Sequence, residues 1–315
     1  MAFTYTEAQS ISEAYYDTPL VQQVYQDSPF YQRMKQKNQI VIGGGLNIRF
    51  PIRYEALGYA NAVDSEAQVV FEQKATRNVG VLEWTTYIGK TKCSWKERIQ
   101  NTGKTQIVDI MAEKATEMRE DIDNRFATDL YTTNPNGFGF ASLPVIVNST
   151  GAYAGLVYTD AATWKAYKQD DATTILAIYG TGSISEAIAD CVFGKHFPNF
   201  FLTTIDLASK LESLIEPQKR YYDKNMADIG FRSISLHGYP VTGDYHCPAK
   251  AFYGLCDNTF KIHVHKDYNM KLSKWEPLFQ AGFPHDLGRI ISWSGNIVCN
   301  CRRPNFKFTV LDYTL

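Results

Sequence analysis

The sequence predicts an α+β fold, and three patterns along the chain predict it. Residues 47–55 alternate apolar and polar side chains, as a strand with one buried face does. Apolar residues then recur every three or four positions from Ile107 to Leu130, which is typical of a helix with one buried face. Short apolar runs separated by turn residues fill residues 231–311 and indicate a strand-rich final third.

The composition argues against several classes of protein. The chain has 315 residues, of which 44% are hydrophobic and 14% aromatic, enough for a large core or for two joined modules. No run approaches the ~18 apolar residues of a membrane span, and the first residues do not resemble a signal peptide, so we expect no membrane contact. The formal charge of −1 does not favour tight binding of nucleic acid. Six scattered cysteines are typical of reduced thiols in a cytoplasm.

Residues 1–45 are predicted to form an N-terminal arm. They are polar and rich in tyrosine, and they end in three consecutive glycines, Gly43 to Gly45. Their aromatic residues follow neither a helical nor a strand period, so we expect the arm to gain order on another surface, such as a neighbouring subunit. A strap that crosses the chain's own domain is an equally good interpretation.

Residues 46–78 are predicted to form an extended β-loop. The apolar face of its first strand comprises Ile48, Phe50, Ile52 and Tyr54, and the opposite face includes Arg49 and Arg53. Pro51 cannot donate a ladder hydrogen bond, which favours an edge strand or a two-stranded ribbon. Residues 68–72 are the predicted return strand, and a second alternating run covers residues 79–92.

The longest predicted helix covers about residues 104–132, or roughly 40 Å at 1.5 Å per residue. Asn101 or Thr102 would cap its start, and the Asn-Pro-Asn-Gly sequence at 134–137 would end it. The far face of the helix carries a charged run that we interpret as a solvated surface. That run consists of Glu113, Lys114, Glu117, Glu120, Asp121 and Asp123.

After a loop-rich stretch at residues 137–171, the middle of the chain is predicted to fold in the order β-α-β-α. Strands are predicted at residues 173–179 and 199–203. The first of the two helices opens with a capping box from Ser183 to Glu186, and the second ends at Pro217. The predicted strands of the final third are 231–236, 239–241, 251–255, 260–265, 290–301 and 306–311.

One segment resembles the start of a nucleotide site. The Gly180-Thr181-Gly182-Ser183 turn lies between a predicted strand and a helix, where glycine turns can hold phosphate. Ser185 occupies the place of the third glycine of a dinucleotide site, and Asp206 lies beyond the usual offset of ~20 residues. A turn that needs glycine conformations is therefore the preferred interpretation, and a cytoplasmic nucleotide-binding α/β enzyme is the alternative.

Neither a catalytic nor a metal site is predicted. His263 with His265 and Cys299 with Cys301 have the spacing of ligands on one strand face, but neither pair has a recognisable second pair. Nucleophile elbows, zinc-protease motifs and Walker loops do not occur in the sequence. We therefore expect no catalytic residues, no cofactor and no bound metal.

The order of these parts resembles the Hong Kong 97-like capsid fold of tailed double-stranded DNA bacteriophages, nearly from end to end. Three short strings strengthen the resemblance to phage major capsid proteins. They are Asn101-Thr102-Gly103-Lys104 before the long helix, Asp129-Leu130-Tyr131-Thr132 at its end, and the closing segment from Trp293 to Phe306. Each string is short, so the specificity lies in their order and spacing.

The resemblance implies a domain organisation. Residues 1–45 would be the N-terminal arm and 46–78 the extended β-loop. Residues 79–136 and 286–315 would form a peripheral domain with the long helix as its spine. Residues 137–285 would contain the axial domain and connecting segments.

The resemblance also implies a structural function without enzymatic activity. The chain would assemble with copies of itself, as hexamers and pentamers, into an icosahedral head around phage DNA that it contacts weakly and non-specifically. Portal, scaffolding and decoration proteins would be further partners, assembly would take place in the bacterial cytoplasm, and the product would be the virion. An encapsulin-like shell protein is the nearest alternative.

The β-loop supplies the candidate residues for contacts between subunits. They are Ile48, Arg49, Phe50, Ile52, Arg53, Tyr54 and Phe71. On this interpretation the apolar side chains of the loop are buried against an adjacent subunit rather than in their own. A Phe50→Asp subunit would then fold and remain soluble but fail to assemble.

Overall fold

The computed structural model describes residues 28–64, 71–100, 110–132, 138–157, 159, 163–169, 174–215, 233–279, 285–309 and 311–312. Its helices are α1 (Pro29–Gln36), α2 (Trp95–Gln100), α3 (Ile110–Tyr131), α4 (Leu143–Ile146), α5 (Ile184–Asp190) and α6 (Ile205–Leu214). The first eight strands are β1 (Ile40–Gly43), β2 (Ile48–Arg53), β3 (Arg77–Leu82), β4 (Thr85–Cys93), β5 (Tyr167–Gln169), β6 (Thr174–Ile175), β7 (Phe200–Thr203) and β8 (Ser233–Leu236). The remaining strands are β9 (Tyr239–Gly243), β10 (Phe252–Leu255), β11 (Phe260–His265), β12 (Lys271–Leu272), β13 (Glu276–Pro277), β14 (Leu287–Cys299), β15 (Phe306–Phe308) and β16 (Leu311–Asp312).

The first sheet is built around β14, which has 13 residues. Strands β4, β11, β12 and β13 pair with it in antiparallel orientation, and β1 adds to β11 in parallel orientation. Ile291 and Trp293 on β14 are buried beneath α3, and the Trp293 ring centroid lies 4.5 Å from that of Phe126 on the helix. The buried side chains of β14 therefore meet the apolar stripe of α3 in one core.

The predicted long helix is confirmed over α3, which covers residues 110–131. Met118, Ile122, Phe126 and Leu130 are buried, as the three-to-four spacing predicts. The predicted residues 104–109, the two candidate caps and the stop sequence at 134–137 lie outside the described residues. Within the described part of the chain, no helix is long and apolar enough to cross a membrane.

The second sheet has the strand order β5-β15-β10-β7-β9-β8. Its two faces are buried in different clusters because successive side chains point to opposite sides. Phe200 and Leu202 face the core that contains α3, whereas Phe201 and Phe252 pack beneath α5 and α6. The predicted β-α-β-α middle is confirmed as β6-α5-β7-α6, although β6 is only two residues long. Pro217, the predicted end of α6, lies outside the described residues.

The β-ribbon is confirmed, but its return strand is not where the sequence placed it. Strand β2 pairs with β3 in the register Ile48↔Leu82 to Arg53↔Arg77. The predicted return strand at 68–72 is wrong at Phe71 and Glu72, which are not in a strand, while residues 68–70 lie outside the described part. The alternating run at 79–92 is divided, so that its first residues close the ribbon and the rest form β4.

The second half of the predicted arm belongs to the body of the protein. Phe30 and Met34 on α1 are buried, and Arg33 donates two hydrogen bonds, of 3.3 and 3.1 Å, to buried Asp257. Strand β1 joins the first sheet. For residues 28–45, the strap across the chain's own domain is therefore the correct interpretation. Residues 1–27 lie outside the described part.

Strand pairing links segments that the sequence analysis assigned to different domains. Strand β15 lies in the predicted peripheral segment 286–315 but pairs with β10 in the second sheet. Strand β11 lies in the segment 137–285, predicted to contain the axial domain and connecting segments, and pairs with β14 in the first sheet. The chain passes between the sheets within these segments, because hydrogen-bonded pairing and not sequence proximity decides which sheet a strand joins.

The ribbon depends on Gly80, which opposes Phe50 across the strand pair. A β-carbon at this position would lie 2.7 Å from Cζ of the Phe50 ring. We expect Gly80→Ala to lower the free energy of unfolding by about 1–3 kcal/mol, because the buried ring must shift in a packed core. Urea unfolding monitored by tryptophan fluorescence would measure the loss. Gly43→Ala, at the end of β1 where an added β-carbon meets nothing within 4 Å, is the control, and an unchanged Gly80→Ala stability would contradict the packing.

Candidate assembly surface

The inner face of the ribbon is buried within its own chain. Ile48, Phe50 and Ile52 belong to the same core cluster as α3, and the Phe50 ring centroid lies 6.5 Å from those of Tyr153 and Trp164. The expectation that these three side chains are buried on an adjacent subunit is therefore wrong. Alternation correctly predicted one buried face, but Tyr153 and Trp164, which cover it, come from a loop-rich stretch that carries no periodic pattern.

The opposite face of the ribbon is exposed and positively charged. We call it the outer ribbon face, and it consists of Arg49, Pro51, Arg53, Arg77, Val79 and Val81. The Arg49 Nε donates to Asn47 Oδ1 at 2.9 Å, and the Arg53 Nε donates to the Glu55 carbonyl at 3.4 Å. No carboxylate of the described residues lies within 4 Å of these arginines. The predicted candidates Arg49 and Arg53 are thus accessible to a partner.

The ribbon tip comprises residues 54–64 and 71–76. Every described residue from 55 to 64 and from 71 to 75 is exposed. Tyr54 anchors the tip, because its hydroxyl donates to the Ala75 carbonyl at 3.2 Å and its carbonyl accepts from the Thr163 hydroxyl. The large apolar side chains exposed in the tip are Leu57, Tyr59, Val63 and Phe71.

Phe71 has the most exposed side chain of this group, at 93%. Tyr54 is half-buried at the base of the tip and packs against the core. Of the seven predicted contact residues, three are therefore inside the subunit, Tyr54 lies at the boundary, and Arg49, Arg53 and Phe71 are available on the surface. The tip concentrates apolar surface that nothing in the described part of the subunit covers, as a contact between copies requires.

The outer face of α3 combines acidic and basic side chains. Glu117 and Asp121 are exposed, as expected for a solvated surface. Lys114 pairs with Glu97 of α2 at 2.8 Å, and Lys114 and the backbone of Ser94 together hold the pKa of the Glu97 carboxyl below its usual range. These pairs fasten α2 to the long helix, and pairs so exposed contribute only about 0–1 kcal/mol each.

The glycine turn at 180–183 is a capped helix start. Gly180 and Gly182 have φ angles of 107° and 74°, which favour glycine. The Glu186 amide donates to Ser183 Oγ at 3.3 Å, and the Glu186 carboxylate accepts from the Gly182 amide. The Gly182 amide, which a bound phosphate would need as a donor, thus already donates to the Glu186 carboxylate. The arrangement supports the interpretation as a structural turn over the nucleotide site.

His263 and His265 lie on β11 of the first sheet, and Cys299 ends β14, whereas Cys301 lies in the loop that follows β14. His263 is half-buried on β11, and burial, with a smaller effect of Lys261, lowers the pKa of its imidazole. Cys299 is fully buried at the end of β14, where burial raises the pKa of its thiol to about 12. Within the described ranges, no group of three or more His, Cys, Asp or Glu side chains could hold a metal ion.

A buried polar pair joins the end of α3 to the second sheet. The Tyr131 hydroxyl donates to Asp244 Oδ2 at 2.8 Å, and the His246 amide donates to Asp244 Oδ1 at 2.9 Å. Burial raises the pKa of the Asp244 carboxyl against the opposing effect of these hydrogen bonds. Burial also raises the pKa of Tyr131, with a smaller contribution from the negative charge of Asp244. The pair fixes the position of the helix relative to the sheet.

Sequence reasoning missed the residue that organises the loop covering the ribbon. Arg302 is 1% exposed, and its guanidinium lies over the rings of Tyr153 and Trp164. It donates to five backbone carbonyls, those of Val145, Ile146, Asn148, Gly151 and Trp164, at 2.7–3.4 Å. Nothing in the local pattern separates Arg302 from its exposed neighbour Arg303, so the sequence offered no signal for this role.

Comparison with known proteins identifies the fold. No protein-family model and no curated protein sequence matches the chain. The capsid asymmetric unit of cyanophage A-1(L) is 16% identical, with a TM-score of 0.64 over 88% of this chain and 91% of that one. The capsid of a native GTA particle is 13% identical, with a TM-score of 0.66 over 97% of both chains. An encapsulin, SrpI of Synechococcus elongatus, is 10% identical, with a TM-score of 0.61 over 100% and 99%.

These likenesses extend over nearly the whole of each chain, so the fold is matched in its entirety and not in one module. The identities are low, and the fold rather than the sequence is what the proteins share. This chain has the Hong Kong 97-like α+β fold of phage capsid proteins, a fold that the encapsulin shell also has.

Proposed function

We propose that this chain is the major capsid protein of a tailed bacteriophage and that it assembles with copies of itself, as hexamers and pentamers, into the head that encloses the DNA. The observation that carries the proposal is the exposed ribbon tip on a chain with a capsid fold. Four large apolar side chains are exposed in the tip and belong to neither core cluster of the described residues. They are Leu57, Tyr59, Val63 and Phe71. Removal of such surface from water contributes about 25 cal/mol per Å², and a closed shell repeats the contact many times.

We define the proposed domains by the two large sheets. We assign the first sheet with α3 to the peripheral domain, and the second sheet with α5 and α6 to the axial domain. The outer ribbon face and the tip would contact a neighbouring copy, portal, scaffolding and decoration proteins would be further partners, and the assembled product would be the virion formed in a bacterial cytoplasm. The role is structural and requires no catalytic group.

Electron microscopy of the purified protein tests the proposal. We expect closed shells, or rings of five or six subunits, and megadalton species in size-exclusion chromatography. A monomer at all concentrations would contradict it. The encapsulin-like alternative, which the SrpI likeness favours, is separated by the contents of native particles. Nuclease-resistant phage DNA supports a phage head, whereas particles that enclose protein and no genome support the alternative.

Phe71→Asp should prevent assembly without unfolding the subunit. The side chain is 93% exposed, so the change removes no contact within the described part of the subunit. A carboxylate at an apolar contact between copies would instead be desolvated without a partner. We expect the fraction of protein in shells to fall at least about tenfold, with an unchanged unfolding midpoint. Phe71→Leu is the matched control, and normal shells from Phe71→Asp would remove Phe71 from the contact.

A further inference from the structure

Asp244 is a buried carboxylate without an opposite charge beside it. The residue is 2% exposed in the loop after β9, and its backbone amide donates to the Thr203 carbonyl of β7 at 2.7 Å. The carboxylate forms no ion pair with a lysine, arginine or histidine of the described residues. Burial of a charged carboxylate without an ion-pair partner is costly, whereas the protonated carboxyl group is neutral and avoids that cost.

Four titratable side chains surround this carboxylate, from α3, from β10 and from its own loop. They are Tyr131, Tyr253, His246 and Cys247. The Cys247 thiol donates to the Ala251 carbonyl at 3.8 Å, and the His246 Nδ1 atom lies 3.5 Å from the Thr128 hydroxyl of α3. Within the described residues, the Tyr131 hydroxyl is therefore the one side-chain donor to Asp244, and it links the end of α3 to the second sheet.

We propose that Tyr131 and Asp244 form a proton-sensitive joint, which holds the end of α3 on the second sheet more firmly when the Asp244 carboxyl is protonated than when it is charged. A neutral carboxyl keeps an acceptor oxygen for the His246 amide and can share a hydrogen bond with the Tyr131 hydroxyl. Protonation thus removes the buried charge without breaking the contact. The inference concerns a single subunit and does not depend on assembly.

The direction of the pH dependence follows from the environment of the carboxyl. Burial raises the pKa of Asp244 above its usual range, although the His246 amide and the Tyr131 hydroxyl act to lower it as hydrogen-bond donors. Opening of the joint lets water reach the carboxyl, so the closed form holds the proton up to a higher pH than the open form does. The stability that protonation contributes is complete in acid and is lost as the pH rises through the pKa of the closed form.

Hydrogen exchange of residues 124–131, measured by mass spectrometry on the full chain at about pH 5 and about pH 8, tests the proposal. After correction for the intrinsic exchange rate, opening of the last turns of α3 should be at least about twofold less frequent at the lower pH. Glu97 and Asp286, whose carboxyl pKa values are held below the usual range by Lys114 and Lys92, remain charged at both. Opening that does not change, or that increases in acid, would overturn the proposal.

Two variants assign the effect to the joint. Asp244→Asn keeps the shape of the side chain but does not titrate, so the pH dependence of exchange should disappear. Tyr131→Phe keeps the ring, which packs 5.7 Å from that of Tyr253, and removes a donor that lowers the pKa of Asp244, so the dependence should move to higher pH. Asp121→Asn, the same change at an exposed position of α3, is the matched control and should leave the dependence intact. A dependence that is unaltered in Asp244→Asn and Tyr131→Phe would show that another group takes up the proton.

His246 is the competing proton acceptor beside the joint. His246→Gln removes the imidazole but keeps the backbone amide that donates to Asp244 at 2.9 Å. We expect the pH dependence of exchange to persist in His246→Gln. Its loss in this variant would assign the proton to the imidazole and would overturn the role of Asp244.

Discussion

Phe50→Asp should unfold the subunit rather than prevent assembly of a folded one. The Phe50 ring is 6% exposed and packs beside Tyr153 and Trp164. Loss of a buried phenylalanine alone costs about 3–5 kcal/mol, and a carboxylate in its place adds the cost of burying a charge without a partner. We expect the loss to exceed about 4 kcal/mol, a large part of the 5–15 kcal/mol typical of a domain. Circular dichroism and the soluble yield would measure it.

The matched control is the preceding residue of the strand. Arg49→Asp places the same carboxylate on the outer ribbon face, where it is exposed, so stability should change by no more than about 0.5 kcal/mol. A folded, soluble Phe50→Asp monomer would show that the inner face of the ribbon is not part of the subunit core, and it would restore the interpretation that the sequence favoured.

Arg302→Met should also destabilise the subunit severely. The substitution keeps an apolar side chain beneath Tyr153 and Trp164 but removes every hydrogen bond to five carbonyls. A buried carbonyl left without a donor costs about 1–3 kcal/mol, so even two such groups make the loss about 2–6 kcal/mol. The loop that covers the inner face of the ribbon would then lose the hydrogen bonds that hold its backbone in place. Urea unfolding, with hydrogen exchange of residues 143–166, would measure the change.

Arg302→Lys should recover only part of the stability, because an ammonium group has three donors and cannot match the planar fork of a guanidinium. Arg303→Met is the control on the adjacent residue. Arg303 is exposed and lies 4.6 Å from the centre of the Phe193 ring, a contact of about 0.5–1 kcal/mol. Equal losses in Arg302→Met and Arg303→Met would show that the buried carbonyl network is not the source of the stability.

The elements with a strong local signal were predictable from the sequence. The spacing of Met118, Ile122, Phe126 and Leu130 gave α3 its position and its buried face. The alternation at residues 48–53 gave β2, and Ser183 with Glu186 gave the start of α5. Each of these depends on neighbours three or four residues apart, or on strict alternation, so local physics is sufficient.

The candidate site was predictable only in part. Arg49, Arg53 and Phe71 are on the surface as expected, but Ile48, Phe50 and Ile52 are not. A periodic pattern shows that one face of a strand is buried and does not show which surface covers it. The cover in this case is the loop held by Arg302, whose five acceptors lie 138 to 157 residues away in sequence. Contacts over such separations leave no trace in a local window.

The sequence by itself determined the α+β class, the order of the main elements and the face that each buries, because hydrophobic burial acts with the period of the helix or strand. Only the tertiary structure decided which partner covers each face, which sheet each strand joins, and that residues 28–45 belong to the subunit body. Those choices depend on shape and on hydrogen bonds between distant segments, as Arg33 on α1 with Asp257 before β11 illustrates. The apolar side chains of the ribbon tip remain exposed in that arrangement, and they are therefore available for contacts with other molecules.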